Sequence, residues 1–292
     1  MNTARKNFLG ILFSLLSVLA FSMEWWFTRE LEAFHLTGFL LVCLLFCVGT
    51  LVMLFGLFKK ENRESFPKSG IQNLLLFGII DVFAFGFFFL AIIDISVVKT
   101  LLWSNMSVFY VLLLSPFFGE IITIRKIIAG ILGFLGMGTY LILGENSENI
   151  FEFSRGDLYG FLCGVAMTGF FFLGNKSKKA PLYWKLIFTW VSGLVLFPVL
   201  YFVFNESFVL RSFLSLEFSV LFFGILITSL FLAMIFYQFS IQYIEASKVV
   251  TVRMTEPVFQ GITAYLIVNE TLNLYQGLGV VLLVWGIFLI RK

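Results

Sequence analysis

The chain has 292 residues, of which 60% are hydrophobic and 13% are charged, whereas soluble globular domains contain roughly 45–50% and about 25%. This composition excludes an ordinary soluble domain and indicates a protein that crosses a membrane several times. The net charge of +3 is small and spread over loops, so it gives no indication of a nucleic-acid partner.

The first apolar stretch, about residues 8–27, follows Arg5 and Lys6 and therefore resembles a secretory signal peptide. A signal peptide ends at a cleavage site of small residues. The sequence Met23-Glu24-Trp25-Trp26 offers no such site. We therefore interpret this stretch as the first membrane helix.

Nine further apolar stretches follow, so the sequence predicts an all-α membrane protein with ten transmembrane helices. They lie at about 36–58, 70–92, 96–118, 122–143, 157–174, 182–204, 218–243, 246–268 and 272–290.

Residues 150 positions apart match, which indicates an internal repeat. Val258, Phe259, Glu270, Gly286 and Gly160 correspond to Val108, Phe109, Glu120, Gly136 and Gly10. We predict two five-helix repeats, residues 1–146 and 147–292. Because five is odd, the second half must enter the membrane from the opposite side. Inverted-topology repeats of this kind are typical of alternating-access transporters.

Lysine and arginine in the predicted loops set the orientation, because cytoplasmic loops carry an excess of both. With the N-terminus inside, fifteen lie on the inner side and four on the outer side, and Arg253 lies within the membrane. The four outer residues are Arg29, Lys99, Arg155 and Arg211. We expect a multi-pass protein of the cell membrane with both termini cytoplasmic and the loop at 145–157 external.

The ninth helix contains two charged residues, Arg253 and Glu256, at about 10 and 15 Å into a core of ~30 Å. Charged residues at that depth are functional candidates by default. Helical spacing places them on one inward face, together with Gln260. The alternatives are a purely structural ion pair and a site that binds substrate or handles protons. Pro257 predicts a kink beside them, either a hinge or a tolerated bend.

Two more acids lie in predicted helices. Asp81 is about 18 Å from the cytoplasmic start of the third helix, where we expect either proton coupling or hydrogen bonds that hold helices together. Glu24 shares a stripe of the first helix with Ser14 and Ser17, toward the outer side. Its alternatives are substrate binding and a position at the membrane interface.

The fourth helix offers Trp103, Ser107 and Tyr110 on one face, and the repeat equates them with Arg253, Pro257 and Gln260. Aromatic side chains with polar atoms suit an organic or cationic solute. The alternative is packing between helices.

Three further residues receive other expectations from their positions. Glu120 and Glu270 form a matched pair at the junctions between the last two helices of each half, and we expect both to be structural. Lys99 is expected to extend its ammonium group to the membrane surface.

These features resemble the EamA-type branch of the drug/metabolite transporter superfamily. The resemblance is carried by the two five-helix halves and by the run Glu256-Pro257-Val258-Phe259 ahead of Glu270. It implies a ten-helix bundle around a central cavity, lined mainly by the first, third, fourth, sixth, eighth and ninth helices. It also implies transport of small metabolites, amino acids, nucleotide sugars or drugs.

We therefore expect a secondary active transporter, an exporter, that moves a small organic metabolite such as an amino acid by alternating access. One alternative is proton-coupled efflux of multiple drugs or cations, in which Glu24 acts as does the first-helix Glu of the similar small multidrug resistance proteins. An alternative of another class is a non-transporting scaffold or lipid-handling protein.

The sequence contains no motif of a metal site, a phosphate-binding loop or a nucleophile elbow. We accordingly expect no enzyme activity, no cofactor and no metal. The expected partners are the small-molecule solute, membrane lipid and protons, and the chain is expected to act as a monomer or homodimer.

Overall fold

A computed structural model describes residues 3–32, 34, 38–67, 69–143, 153–204, 215–268 and 273–290. All secondary structure in these ranges is helical, which confirms the all-α prediction. Glu270 and most of the loop at 145–157 lie outside the described residues.

The first half contains eight described α-helices. They are α1 (Thr3–Phe21), α2 (Glu24–Glu32), α3 (Gly38–Phe55), α4 (Lys60–Glu64), α5 (Ile71–Asp94), α6 (Val97–Asn105), α7 (Ser107–Leu114) and α8 (Ile124–Gly138). Short 3₁₀ turns at Gly56–Phe58 and Ser115–Phe118 extend α3 and α7, and a π-helical turn at Thr139–Leu143 extends α8.

The second half contains seven described α-helices. They are α9 (Arg155–Lys176), α10 (Leu182–Phe204), α11 (Leu216–Ile225), α12 (Ala233–Tyr243), α13 (Ala246–Arg253), α14 (Glu256–Val268) and α15 (Leu274–Ile290). A π-helical segment at Leu226–Leu232 joins α11 to α12.

Among the described residues, five helical stretches are long and apolar enough to cross a membrane. They are Ile71–Ile92, Lys99–Phe118, Ile124–Ile142, Arg155–Lys176 and Leu216–Tyr243. Shorter apolar helices cover Leu44–Phe58, Leu182–Leu196 and Leu274–Ile290. Large apolar side chains such as Phe202 and Leu266 are exposed on the outside of the bundle, as expected of a protein whose solvent is lipid.

Several helices begin where serine or threonine accepts a hydrogen bond from the first turn, a usual way for a helix to start. Ser96 accepts from the backbone N–H of Lys99, and Ser215 accepts from that of Phe218. Ser154 and Asp157 form a reciprocal capping box at the start of α9, which is typical of a firmly fixed N-terminus.

Three stretches predicted as single helices are interrupted. The first breaks between α1 and α2, the fourth at Met106 between α6 and α7, and the ninth between α13 and α14. The last break precedes Pro257, which lies in the first turn of α14, where a missing backbone N–H costs least. A break therefore lies just before Pro257, and it interrupts the predicted helical face from Arg253 to Gln260.

The halves pack against each other through pairs of helices that correspond under the 150-residue offset. The contact of α5 with α9 corresponds to that of α12 with α1. The offset exchanges α3 with α10 and α8 with α15, so each of those two contacts is its own equivalent. Glycine allows the closest of these approaches, because a Cβ atom added to Gly136 would lie 2.8 Å from the carbonyl oxygen of Gly279.

Candidate functional site

A cavity lies between the two halves at the level of the three helix breaks. Its wall combines aromatic, small polar and charged side chains. The lining residues are Phe21, Glu24, Phe85, Phe88, Leu101, Ser104, Asn105, Ser107, Met167, Phe171, Val250, Arg253 and Glu256.

Arg253 is the cationic centre of the cavity. Its Nη2 atom lies 3.2 Å from Oε2 of Glu256, and both side chains are nearly buried, at 13% and 10% exposure. The guanidinium group also lies over the ring of Phe21 at 4.8 Å and over that of Phe171 at 5.7 Å. Cation–π contacts of this kind are stronger when water is excluded, so α1 and α9 both hold the arginine in place.

Two further carboxylates interact electrostatically with this pair. Glu24, the first residue of α2, interacts with Glu256 and Arg253, and Asp81 interacts with Arg253 from α5. If all four groups are ionised, three carboxylates and one guanidinium leave two uncompensated negative charges. Buried charge without a partner is costly, so the site favours a proton or a cationic group.

Asp81 lies behind the cavity wall and is 1% exposed. Its Oδ2 atom is buried without a hydrogen-bond partner among the described residues. An unsatisfied buried carboxylate oxygen calls for an explanation. Asp81 thus lies buried close to Arg253 and outside the cavity wall.

Glu24 lies in the cavity because the first predicted helix breaks. Ser17 on α1 donates to the carbonyl of Ala233, so that part of the predicted stripe faces α12. The chain interrupts its helix at Ser22 and Met23, and the first residue after the break turns into the cavity. A single straight helix through residues 8–27 is therefore a wrong prediction.

Trp103 and Tyr110 are not among the residues that line the cavity. The indole N–H of Trp103 donates to Oδ1 of Asp157 at 2.7 Å, and the Tyr110 ring contacts Phe161 edge-on. Trp103 and Ser107 lie on either side of the turn at Met106. Of the three candidates in the fourth helix, Ser107 lines the cavity.

Gln260 lies on α14 beyond the second-half break and is also absent from the cavity wall. Pro257 is buried beside the break. The structure brings together four of the predicted site residues in the wall, namely Glu24, Ser107, Arg253 and Glu256.

Lys99 does not extend to the membrane surface, and that expectation is wrong. Its ammonium nitrogen lies 2.8 Å from Oδ2 of Asp157, which is fully buried. Asp157 also accepts from the backbone N–H of Ser154 at 2.7 Å. The cluster joins α6 to α9 because one carboxylate satisfies donors from both helices.

Two polar residues of the wall, Ser104 and Asn105, were not predicted. The Asn105 amide donates to the carbonyl of Leu101 at 2.9 Å, and the Ser104 hydroxyl donates to the same carbonyl at 3.1 Å. Their amide and hydroxyl oxygens remain available as acceptors for a solute. Both residues directly follow Trp103, a predicted site residue, and this adjacency is the sequence feature that could have identified them.

In the described ranges, no three His, Cys, Asp or Glu side chains come together as metal ligands. The arrangement can nevertheless bind a small organic solute. The rings of Phe21, Phe85, Phe88 and Phe171 supply apolar contact, while the charged groups fix polar ends.

Comparisons with known proteins bear on the family and the fold of the chain. A protein of Archaeoglobus fulgidus named as an uncharacterized transporter is 22% identical over 225 residues, which are 76% of each chain. A crystal structure of another protein matches the fold with a TM-score of 0.78 over 96% of both chains, at 15% identity. The sequence profile of the EamA-like transporter family matches residues 8–142 and again residues 154–292. The chain therefore belongs to the EamA-like transporter family and is an all-helical, multi-pass membrane transporter.

Proposed function

We propose that this protein is a secondary active transporter that moves a small organic metabolite by alternating access. The observation that carries the proposal is the cavity between the halves, in which Arg253, Glu256 and Glu24 meet at the helix breaks. Ionisable groups inside a membrane protein mark solute and ion pathways. The metabolite is an amino acid or a similar amine, and the direction is export.

The proposed architecture is ten transmembrane helices in two inverted repeats, residues 1–146 and 147–292, with both termini cytoplasmic. It is supported by the two separate matches of the family profile, one in each half. The helix pairs that exchange under the repeat support it as well. Two such halves can rock about a central site and expose it to one side at a time.

The excess of acidic groups favours a solute with a positively charged amine. Such an ammonium group would pair with Glu24 and Glu256, while a solute carboxylate, where present, would pair with Arg253. The aromatic wall would hold the carbon skeleton. Proton-coupled efflux of organic cations is the second candidate, and the same imbalance of three acids to one base favours it.

Asp81 is the proposed proton-coupling residue. A proton and a cationic solute both relieve the excess negative charge, so the two compete for the same group of carboxylates. Competition of this kind couples solute movement to proton movement in the opposite direction. Pro257, beside the break before α14, is proposed as the hinge about which α13 moves relative to α14.

The test is a panel of amino acids, polyamines and organic cations. Purified protein is first screened for a rise in thermal unfolding temperature, and each solute that stabilises it is then measured for uptake into proteoliposomes with and without a pH gradient. We expect stabilisation by at least one amine and gradient-dependent uptake of the same compound. A protein that binds amines and moves none of them would be a scaffold or lipid-handling protein.

A further inference from the structure

The N-terminus of α13 is held by a residue from the other half of the chain. Its own N-cap residue, Glu245, makes no side-chain hydrogen bond to the helix. Instead, Oε1 of Glu120 accepts from the backbone N–H of Ala246 at 2.8 Å, and Oε2 accepts from that of Ser247 at 3.2 Å. A carboxylate at this position satisfies unpaired donors and complements the helix dipole.

Glu120 is itself placed by a tight turn. Gly119 has a φ of 79°, a left-handed conformation that glycine adopts without steric cost, and the chain reverses there. The backbone N–H of Glu120 donates to the carbonyl of Ser115 at 3.0 Å. The side chain amide of Asn175, near the end of α9, donates to Oε1 at 3.2 Å. One buried carboxylate thus ties the turn after α7 to the end of α9 and the start of α13.

We call the end of the bundle where α13 begins the inner end, and the sequence predicts that it is cytoplasmic. The cavity lies toward the opposite end, since its wall includes Phe88 of α5 and Leu101 of α6, both near the α5–α6 connection. Between the cavity and the inner end, the buried rings of Phe77, Phe170 and Tyr237 stack at 4.9 and 4.7 Å. The structure is therefore closed at its inner end.

A second contact across the halves lies beside Glu120. The ammonium group of Lys126, on α8, forms an ion pair with Glu245, the residue that precedes α13. The Glu245 side chain is 47% exposed, and exposed ion pairs contribute little. Glu120 is buried, so its contacts are the stronger ones at this end.

Helix α13 connects the closed end to the solute site. It begins at Ala246 and Ser247, whose backbone N–H groups donate to Glu120, and it ends at Arg253. The break at Met254 and Thr255 separates it from α14, so α13 can move without carrying α14. A displacement of its first turn therefore also displaces Arg253.

We propose that Glu120 is a positioning residue that holds α13, and with it Arg253, while the inner end is closed. Release of its bonds to Ala246 and Ser247 opens that end. The inference rests on the proposed function, because an inner end that opens matters only in a transporter. Once released, the carboxylate and the two N–H groups meet water at the membrane surface, which compensates the lost bonds.

The test measures access to α13 from each face of the membrane. Thr251 is buried on α13, and Thr251→Cys is placed in a background in which Cys43, Cys47 and Cys163 are replaced by alanine. A membrane-impermeant maleimide is applied to sealed vesicles of both orientations. In Glu120→Gln, which removes the charge at nearly constant volume, we expect modification at position 251 to accelerate about fivefold or more at one face.

Three controls separate positioning from loss of structure. Glu120→Asp, which keeps the charge, should give a smaller acceleration than Glu120→Gln. Glu245→Gln alters the exposed neighbouring acid and should leave the rate nearly unchanged. Ser104→Cys, in the cavity wall of the first half, should react no faster in Glu120→Gln with reagent applied from the opposite face, because opening at the inner end does not widen the opposite one.

The proposal is overturned if Glu120→Gln leaves the rate at position 251 unchanged, or raises it equally at both faces together with the rate at position 104. It is also overturned if Glu120→Gln lowers only the thermal unfolding temperature. Should Glu120→Gln not fold, the same criteria apply to Glu120→Asp. None of these measurements requires a solute, so a failure to find transport would count against the proposed function alone.

Discussion

Helices α6–α7 in the first half and α13–α14 in the second occupy equivalent places in the repeat, and both are interrupted at the level of the cavity. The interruption lies at Met106 in the first half and at Met254 and Thr255 in the second. The second-half break precedes Pro257, whereas the equivalent residue in the first half is Ser107. The helix therefore breaks at this position of each half, with a proline after the break in the second half and without one in the first.

The chemistry beside the two breaks differs sharply. Arg253 forms an ion pair with Glu256 in the cavity, while the equivalent Trp103 donates to Asp157 away from it. Around its own break the first half supplies Ser104 and Asn105, both neutral. Near-equivalent backbones thus carry charged residues beside the second-half break and neutral residues beside the break at Met106, and the charged residues are where a solute would gain most.

The two helices also differ in how their first turns are held. Ser96 caps α6 from within its own half, whereas Glu120 caps α13 from the opposite half. The backbone N–H group that Ser96 caps is therefore satisfied within the first half, although the side chain of Lys99 in the same turn also pairs with Asp157 of the second half. The backbone cap of α13, by contrast, depends on the relation between the halves.

Removing the charge from the second-half break should have the largest effect. Arg253→Gln and Glu256→Gln are each expected to reduce uptake about tenfold or more, because truncating one partner of a buried charge pair leaves the other unpaired. Uptake into proteoliposomes, normalised to the amount of folded protein, measures this effect. Expression and thermal stability are recorded in parallel.

The double variant Arg253→Gln/Glu256→Gln is the control for that pair, since it leaves no stranded charge. If the pair binds solute, the double variant transports as poorly as the single ones. Recovery of full transport by the double variant would show that the pair only stabilises the fold.

Asp81→Asn should have the next largest effect, on coupling. The amide keeps the shape of the side chain and cannot release a proton. We expect uptake along a solute gradient to continue, while its response to an imposed pH gradient disappears. A variant that responds to pH gradients as wild type does would place the proton step on another residue.

The neutral residues beside the first-half break at Met106 predict smaller effects. Trp103→Phe removes one hydrogen bond to the ionised Asp157 and should lower the free energy of unfolding by about 1.5 kcal/mol. Transport should stay close to that of wild type, because the indole lies outside the cavity. Denaturant unfolding in detergent measures the first quantity and uptake the second. A loss of uptake as large as that of Arg253→Gln would show that Trp103 takes part in solute binding.

The smallest effect is expected at the local cap. Ser96→Ala should cost roughly 0.5–1 kcal/mol, the usual value for losing a serine N-cap. It should not change maleimide access at position 251, since α6 is capped within its own half. Increased access in Ser96→Ala would mean that both helices respond to any loosened cap, and the contrast with Glu120 would fail.

Part of this arrangement was predictable from the sequence. Apolar length and composition predict an all-helical membrane protein, and the charges at Arg253, Glu256 and Asp81 point to the interior because lipid does not tolerate them. The breaks near Met106 and Met23 were not predictable, since neither site contains proline or glycine. Without those breaks, Trp103 falls on the same face as Ser107, and Glu24 falls toward the membrane interface.

Contacts between distant residues were also beyond sequence reasoning. The sequence predicts a structural role for Glu120, but a helix cap supplied from another half of the chain leaves no local pattern. Lys99 and Asp157 likewise belong to different halves. A lysine near a predicted helix end is ordinarily read as extending to the surface, because its buried partner is not a neighbour in the sequence.

The most direct test of the solute site uses Ser104→Cys, an almost isosteric change in the first-half part of the cavity wall. The rate of maleimide modification at position 104 is measured with and without a saturating concentration of a solute identified by uptake. We predict that the transported solute slows modification several-fold in the protein that retains Arg253 and Glu256. The same solute should give no protection in Glu256→Gln. A solute that is transported without slowing modification at position 104 would contradict the assignment of the cavity as the transport site.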